Sequence, residues 1–404
     1  MHPFIVLAFL ITANLHDLER KSWIDSHNAR ADQSWRAGLN PRFRGLPIGA
    51  SKQLCGVLPG AEERLRDNVR SGLVGNCSAN SLIGAAPIPD SFDSAANWPH
   101  CATVIDDIRD QSACGCCWAF GAASAASDRM CIATNASIKL PLSSQDLCFC
   151  GSGSSQPGCA GGDPASAWEY IRTSGVVTGG QHNDTQANDD PFANSRLCSA
   201  FSLPHCHHHG PAGQDPYPAA GSAACPDVGL DNSPVCPAKC DPGSNRTFAK
   251  DKYSFTGEVS TFADAAAMQA SIMRDGPLEV VMAVTDEFES YASGIFTDSG
   301  AVKLGFHAVR IVGWGVENST KYWKVANSWN RFWGEGGTFR IVRGLNQLGI
   351  ESQAVASSAG ARWGPRSGPP PAPPQDCSAF NEGMCKATSG CHWCRYICQP
   401  QPCQ

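Results

Sequence analysis

Three cysteines in four positions, in the run Gln111-Ser-Ala-Cys-Gly-Cys-Cys-Trp-Ala-Phe120, are the residues whose chemistry most needs explaining. Such a cluster can serve as a disulfide, a metal site or a nucleophile, and the residues that follow discriminate among these uses. Trp118, Ala119, Ala122, Ala126 and Met130 recur at spacings that suit one face of a buried helix. Cys117 then falls in the first turn, where unpaired N–H groups and the positive end of the helix dipole favour a thiolate. A thiol-disulfide oxidoreductase using Cys114 and Cys117 as a C-x-x-C pair would place its Trp before the first cysteine and sit in a βαβ unit, and neither is present.

The same run, Gln-x-x-Cys-Gly-x-Cys-Trp-Ala-Phe, resembles the nucleophile segment of papain-type cysteine proteases, with Cys116 where the motif has Ser or Ala. The resemblance makes Cys117 the nucleophile and Gln111 a side-chain N–H donor to the oxyanion. His307-Ala-Val-Arg-Ile-Val-Gly-Trp-Gly315 and Asn327-Ser-Trp-Asn330 resemble the family's base and orienting segments. They imply an imidazolium at His307, an acceptor at Asn327 and a shielding ring at Trp329. Gly161 and Gly162, in Gly158-Cys-Ala-Gly-Gly162, would run along the substrate as a hydrogen-bonding edge. The family also implies disulfides from Cys101 to Cys131 and from Cys114 to Cys159. A link to Cys236 would come from either Cys148 or Cys150, and the partner of Cys116 is open.

Around these residues the chain must supply two halves. The stretch from Asp90 to about Gln186 reads as helical, with Ser143 placed to cap a short helix and a second helix from about Pro164 to Ser174. From Tyr253 onward, Leu278–Val284, Ala308–Val312 and Tyr322–Ala326 are short β-rich runs that suit an antiparallel, barrel-like half, with His307 opening one strand and Asn327 closing another. The fold class expected is therefore α+β, a papain-like two-lobed fold.

Between Cys198 and Cys240 lies a Gly-, Pro- and Ala-rich insertion containing Cys206-His-His-His209. Zinc would ask for a second suitably spaced Cys/His pair, so no metal or other cofactor is expected. The insertion is similar to the occluding loop that marks cathepsin B relatives, with Cys206 and Cys225 bounding its tip, and the resemblance puts Cys198, Cys240, Cys206 and Cys225 in disulfides. By that resemblance His208 is pinned to Asp110 and His209 receives the substrate's C-terminal carboxylate. The family's second clamp is missing: its Arg is absent and its Asp is replaced by Phe332. The expected activity is an endopeptidase with weak carboxydipeptidase action. At the S2 position Gln353, in Gly349-Ile-Glu-Ser-Gln353, replaces an acid and disfavours arginine at P2.

The whole chain divides accordingly: a signal peptide over 1–14, an inhibitory propeptide over 15–86, a catalytic domain over 87–358 with its insertion at 198–240, a Pro-rich linker over 359–376 and a cysteine-rich module over 377–404. Trp35-Arg-Ala-Gly38 and Leu54-Cys55-Gly56 resemble pieces of the short cathepsin B propeptide, which blocks the cleft until cut away. Weak helical patterning extends from Trp23 to Trp35.

Twenty-one cysteines and Asn-x-Ser/Thr sites at Asn76, Asn135, Asn183, Asn245 and Asn318 indicate an oxidising secretory route, ending outside the cell or in a lysosomal or vacuolar lumen. The odd count leaves at least one thiol unpaired. A net charge of -6 with 17% charged residues excludes nucleic acid as main partner, and no apolar run is long enough to span a bilayer. Expected partners are protein and peptide substrates, the chain's own propeptide, and a surface or protein ligand of the terminal module. The competing class is a catalytically silent secreted binding protein on a protease-like scaffold.

Overall fold

The computed structural model describes residues 3–84, 86–151, 158–181, 196–203, 233–366, 392–394 and 397–399. Cys206, His208, His209 and Cys225 lie outside the described residues, as does most of the linker and terminal module. The architecture is α+β and two-lobed, and Cys117 and His307 come from opposite lobes.

One lobe is helical. Its central helix, Cys117–Ala133, is buried on every side through Cys131 rather than on the one face its spacing suggested. Its Ala, Ser and Gly side chains are small enough for neighbours to close in all round. At Gly121 an added Cβ would stand 2.6 Å from the Glu279 carboxylate of the other lobe, so that side chain would have to shift for any larger residue. Two shorter helices pack beside it. Ser144–Cys150 starts at Ser143, whose hydroxyl accepts from the Asp146 N–H, and Pro164–Thr173 starts at Asp163, whose carboxylate accepts from Ser166 with Pro164 in the first turn. Five disulfides brace this lobe: Cys101–Cys131, Cys114–Cys159, Cys116–Cys148, Cys150–Cys236 and Cys198–Cys240.

The other lobe is a ten-stranded sheet centred on the long strand Lys303–Glu317, which pairs antiparallel with Leu278–Thr285 on one side and Thr320–Ala326 on the other. The sheet is not purely antiparallel: Thr338–Val342 runs parallel to Tyr291–Phe296, and Val74–Cys77 runs parallel to Val259–Phe262. Its inner face is aromatic, with Phe288, Tyr291, Trp329, Trp333 and Phe339 in mutual ring contact. Beyond Ser358 the chain adds a further strand, Trp363–Pro365, pairing with Tyr253–Phe255 and laying Trp363 against Phe255 at 4.9 Å.

The N-terminal 84 residues wrap the sheet lobe from both ends. After the helix Pro3–Asn28, Trp35–Ala37 pairs antiparallel with Tyr291–Phe296 at one edge, while Val74–Cys77 closes the other. Helical patterning through Trp35 is thus overruled: the helix stops at Asn28 because Trp35 gains a strand partner and stacks among Trp23, His27, Tyr291 and Phe296. Arg20 reaches Glu289 at 2.8 Å with both side chains buried, and that carboxylate also accepts from the Gly49 and Ser51 N–H groups. A buried ion pair of this kind is costly to break from one side.

Between the lobes, charged side chains bind helix to strand. Arg310 donates to Asp128 at 2.7 Å and to the Ile105 and Asp107 carbonyls. Arg129 donates to the carbonyls of Gly276, Pro277 and Ser357. Asp128 and Arg129 belong to the helix that begins with Cys117, and Arg310 to the strand that carries His307. These links therefore fix the two reactive side chains relative to each other.

Candidate active site

Cys117 is the first residue of its helix, and its sulfur accepts from the Gly56 N–H at 3.2 Å and is reached by the Ala308 N–H. Ala308 follows His307, so the sulfur lies against the peptide unit that bears the imidazole. His307 sits inside the strand Lys303–Glu317, opposite Met282, rather than at a strand start. Pairing with Leu278–Thr285 from Lys303 to Ile311 sets its register more firmly than a free end would allow.

The imidazole is completely buried. Its Nε2 contacts Asn327 Oδ1 at 2.8 Å, and the same oxygen accepts from the Ser328 N–H at 2.8 Å. With both donors on one amide oxygen, Nε2 carries the proton. Trp329 covers the pair, its ring 5.0 Å from that of His307 and itself buried. Gln111 lies deeper: its Oε1 accepts from the Ser328 hydroxyl at 2.7 Å, and its Nε2 donates to the Cys114 carbonyl at 2.7 Å and the Leu54 carbonyl at 3.0 Å.

The N-terminal region occupies this groove. Gly162 donates to the Gly56 carbonyl at 2.8 Å, and its own carbonyl accepts from the Leu58 N–H at 3.0 Å, forming a parallel bridge centred on Val57. Val57 donates across the groove to the Phe306 carbonyl at 3.1 Å. Gly56 is the closest approach: a Cβ there would stand 1.7 Å from the Gly115 carbonyl oxygen. Gly161 has φ +125°, a backbone region that L side chains rarely adopt.

Occupancy changes the electrostatics. The helix terminus alone would favour a Cys117 thiolate, but burial beneath Leu54–Val57 pushes the thiol up to about 12, against the opposing N–H donors. Burial likewise pushes His307 down to about 4, although its Asn327 contact and the Leu54 carbonyl pull the other way. In this state burial works against the expected thiolate–imidazolium pair from both sides, raising the thiol and lowering the imidazole.

Of the remaining predicted positions, Asp110 meets Arg42 of the N-terminal region at 3.4 Å, and Arg42 also donates to the Ser112 carbonyl and lies over the Trp329 ring. Its proposed partner His208 falls outside the described residues. Gln353 is buried, and its backbone carbonyl accepts from the Val281 N–H at 3.0 Å. Cys116, left open by sequence, is bonded to Cys148, and Cys150 is the residue joined to Cys236.

Sequence reasoning missed Arg42, Phe306 and Glu279. Glu279 is a fully buried carboxyl on the strand Leu278–Thr285 that accepts from Trp168 Nε1 at 2.9 Å, and burial raises it well above the carboxylate range. An acid in an otherwise apolar strand run, Leu278-Glu-Val-Val-Met-Ala-Val284, was the available signal.

A family model for the papain family cysteine proteases matches residues 88–358, and the chain belongs to that family. Within it, the chain is similar to proteins named cathepsin B-like. It is 40% identical over 275 residues to cathepsin B-like cysteine proteinase 6 of Caenorhabditis elegans, a match spanning 66% of each chain. To cathepsin B-like cysteine proteinase 4 of that organism it is 41% identical over 274 residues, spanning 68% of this chain and 76% of the relative. Among solved structures, proCathepsin B S9 from Trypanosoma congolense superposes with a TM-score of 0.62 at 27% identity, covering 84% of this chain and 98% of that one. Digestive procathepsin L 3 of the Tenebrio molitor larval midgut shares the fold, with a TM-score of 0.58 at 21% identity over 87% of this chain and 92% of that one.

Proposed function

We propose that the chain is the zymogen of a cysteine endopeptidase with weak carboxydipeptidase activity, inhibited by its own residues 15–86. The observation that carries this reading is the Leu54 carbonyl, which takes the Gln111 amide N–H while Gly56 covers the Cys117 sulfur. The N-terminal region thus uses the contacts a scissile carbonyl would use.

Once that region is cut away, water re-enters, the penalty on charge falls, and Cys117 can transfer its proton to Nδ1 of His307. Asn327 holds the other ring nitrogen and fixes the tautomer. The thiolate attacks the peptide carbonyl, and the negative charge on oxygen is met by Gln111 Nε2–H and the Cys117 N–H. His307 gives its proton to the leaving amine, and water then attacks the thioester with His307 as base. Val57 and Leu58 beside Gly162 mark where an extended substrate would hydrogen-bond, and their apolar side chains agree with a preference for hydrophobic P2 residues. Gln353 in place of an acid points the same way, and Gln353→Glu should raise cleavage of Arg-Arg relative to Phe-Arg substrates.

Carboxydipeptidase action rests on the His208 clamp to Asp110 and on His209 as carboxylate receptor. A loop held by one His–Asp contact opens as the histidine deprotonates, so endopeptidase activity should rise with pH until the catalytic pair fails. Equal endopeptidase rates for wild type and His208→Ala at mildly acidic pH would remove the loop as a gate. The terminal module is assigned a surface or protein ligand, and the enzyme a secreted or lysosomal destination.

The deciding test is labelling by an epoxide-type cysteine-protease inhibitor. The cleaved enzyme should be labelled, while the uncleaved chain and the Cys117→Ala variant should not. An unlabelled cleaved enzyme of wild-type sequence would favour a silent binding protein.

A further inference from the structure

We propose that Cys55 and Cys117 form a disulfide that locks the N-terminal region covalently into the cleft, so that release requires reduction as well as cleavage. The inference rests on the zymogen reading above.

Among the described residues, only Cys55, Cys77 and Cys117 are unpaired, and two of these three stand at the same place. Gly56 donates to the Cys117 sulfur at 3.2 Å, so the N–H that touches the reactive sulfur belongs to the peptide unit that Cys55 begins. The Cys55 Cα is only ~2.4 Å beyond that nitrogen by standard bond lengths and angles. A rotamer change at Cys55, with backbone adjustment inside the usual Cα–Cα range of about 4.4–6.8 Å, brings sulfur to sulfur. What now holds the Cys55 thiol is slight: a 3.5 Å contact to the Ser51 carbonyl, and packing against the open face of Gly305, where a Cβ would come within 3.4 Å of the sulfur. Burial and the adjacent Cys117 sulfur both raise the Cys55 thiol, as expected for two sulfurs sharing one site. Cys77, by contrast, lies on the edge strand Val74–Cys77 opposite Phe262.

The chemistry balances with a small-molecule disulfide, such as oxidised glutathione, as oxidant. The half-buried Cys55 thiolate attacks one sulfur of that disulfide, forming a mixed disulfide and expelling a thiolate that takes the Cys55 proton. The Cys117 sulfur then attacks the Cys55 sulfur, its proton passes to the second departing thiolate, and the protein S–S bond closes. Two protein thiols are oxidised, one small disulfide is reduced to two thiols, and no other reactant enters. The consequence for control is direct: a cut N-terminal region would stay tethered until a reductant arrives, and the same reductant would restore the nucleophile.

The test uses the full-length chain equilibrated in glutathione buffers from reducing to oxidising. It is then digested without reductant and analysed by mass spectrometry for a peptide pair joined through Cys55 and Cys117. The expected result is that this pair accumulates in wild type under oxidising buffer. Activity after acid processing should be lost unless dithiothreitol is added, whereas Cys55→Ser processed in the same buffer should be active without it. The proposal is overturned if Cys55 and Cys117 are recovered unlinked, as thiols or as separate glutathione adducts, or if Cys55→Ser depends on reductant as wild type does. The linked-peptide readout needs no activity. Failure of the zymogen reading would show separately, as full hydrolysis by the reduced, uncleaved chain.

Discussion

The two lobes present the two halves of the reaction by different means. All five described disulfides lie between Cys101 and Cys240, in or beside the helical lobe. Residues 241–376 contain no cysteine at all. The nucleophile's segment is tied covalently on both strands of its loop, through Cys114 to Cys159 and through Cys116 to Cys148. The base is held instead by strand register and by an aromatic floor, with His307 opposite Met282 of Leu278–Thr285, bonded to Asn327 just past Thr320–Ala326, and beneath Trp329. One reactive group is positioned by bonds that a reductant can break, the other by burial and hydrogen bonds that it cannot.

Breaking the sheet lobe should show the largest effect. Phe288 touches Phe296, Trp329, Trp333 and Phe339 with ring centroids 5.0–5.8 Å apart. Phe288→Ala should cost about 3–5 kcal/mol of stability by urea unfolding, independent of reductant. A loss below about 1 kcal/mol would mean that the aromatic floor does not hold this lobe.

Gln111→Ala tests whether the helical lobe contributes chemistry beyond the nucleophile. Losing one oxyanion donor should lower kcat by roughly a hundredfold, about 3 kcal/mol, with KM nearly unchanged. A change confined to KM would place Gln111 in substrate binding instead. Removing Cys116 and Cys148 together, as Cys116→Ser with Cys148→Ser, should cost about 2–4 kcal/mol. Hydrogen exchange should quicken in residues 117–133 and 144–150 while residues 278–285 keep their protection. Uniform loosening of both lobes would erase the contrast drawn here.

The smallest effect concerns pH. His27 packs between Trp23 and Trp35, and burial lowers it from its ordinary 6.5, with Arg30 and Arg36 adding to the effect and Asp32 opposing it. His307 is lowered by the same docking. Released, each imidazole binds a proton more readily than when docked. Docking is therefore strongest above about 6.5 and weakens as pH falls from there toward about 4. His27→Phe should move the midpoint of acid processing of the full chain to lower pH. An unchanged midpoint would leave His307 and the carboxylates as the acid-sensitive groups.

The sequence was most readable where function is local. Cys117, Gln111, His307 and Asn327 each sit in a short run from which a role is proposed, and the structure places Gln111 on the Leu54 carbonyl, Gly56 on the Cys117 sulfur and Asn327 on His307. What could not be read is what depends on distant partners. Arg20 meets Glu289 across 269 positions, and Arg310 meets Asp128 across 182. Nothing in either neighbourhood marks a buried ion pair. The opposing pull of burial on the cysteine and histidine was equally hidden, because a helix terminus is visible in sequence while burial is supplied by the folded chain. The partners of Cys116 and Cys150 needed the fold, since spacing does not choose among cysteines.

The short strands Trp35–Ala37 and Val74–Cys77 are the outermost strands of the ten-stranded sheet, one at each end. A cut in the stretch between Ile83 and Phe92 would in time strip both away, baring the backbone donors and acceptors of Tyr291–Phe296 and Val259–Phe262. On the zymogen reading proposed above, the cut chain would then lack the strands that cover its own sheet edges. Unfolded after that point, it should recover poorly and tend to clump, so that maturation also spends the molecule's one good opportunity to assemble.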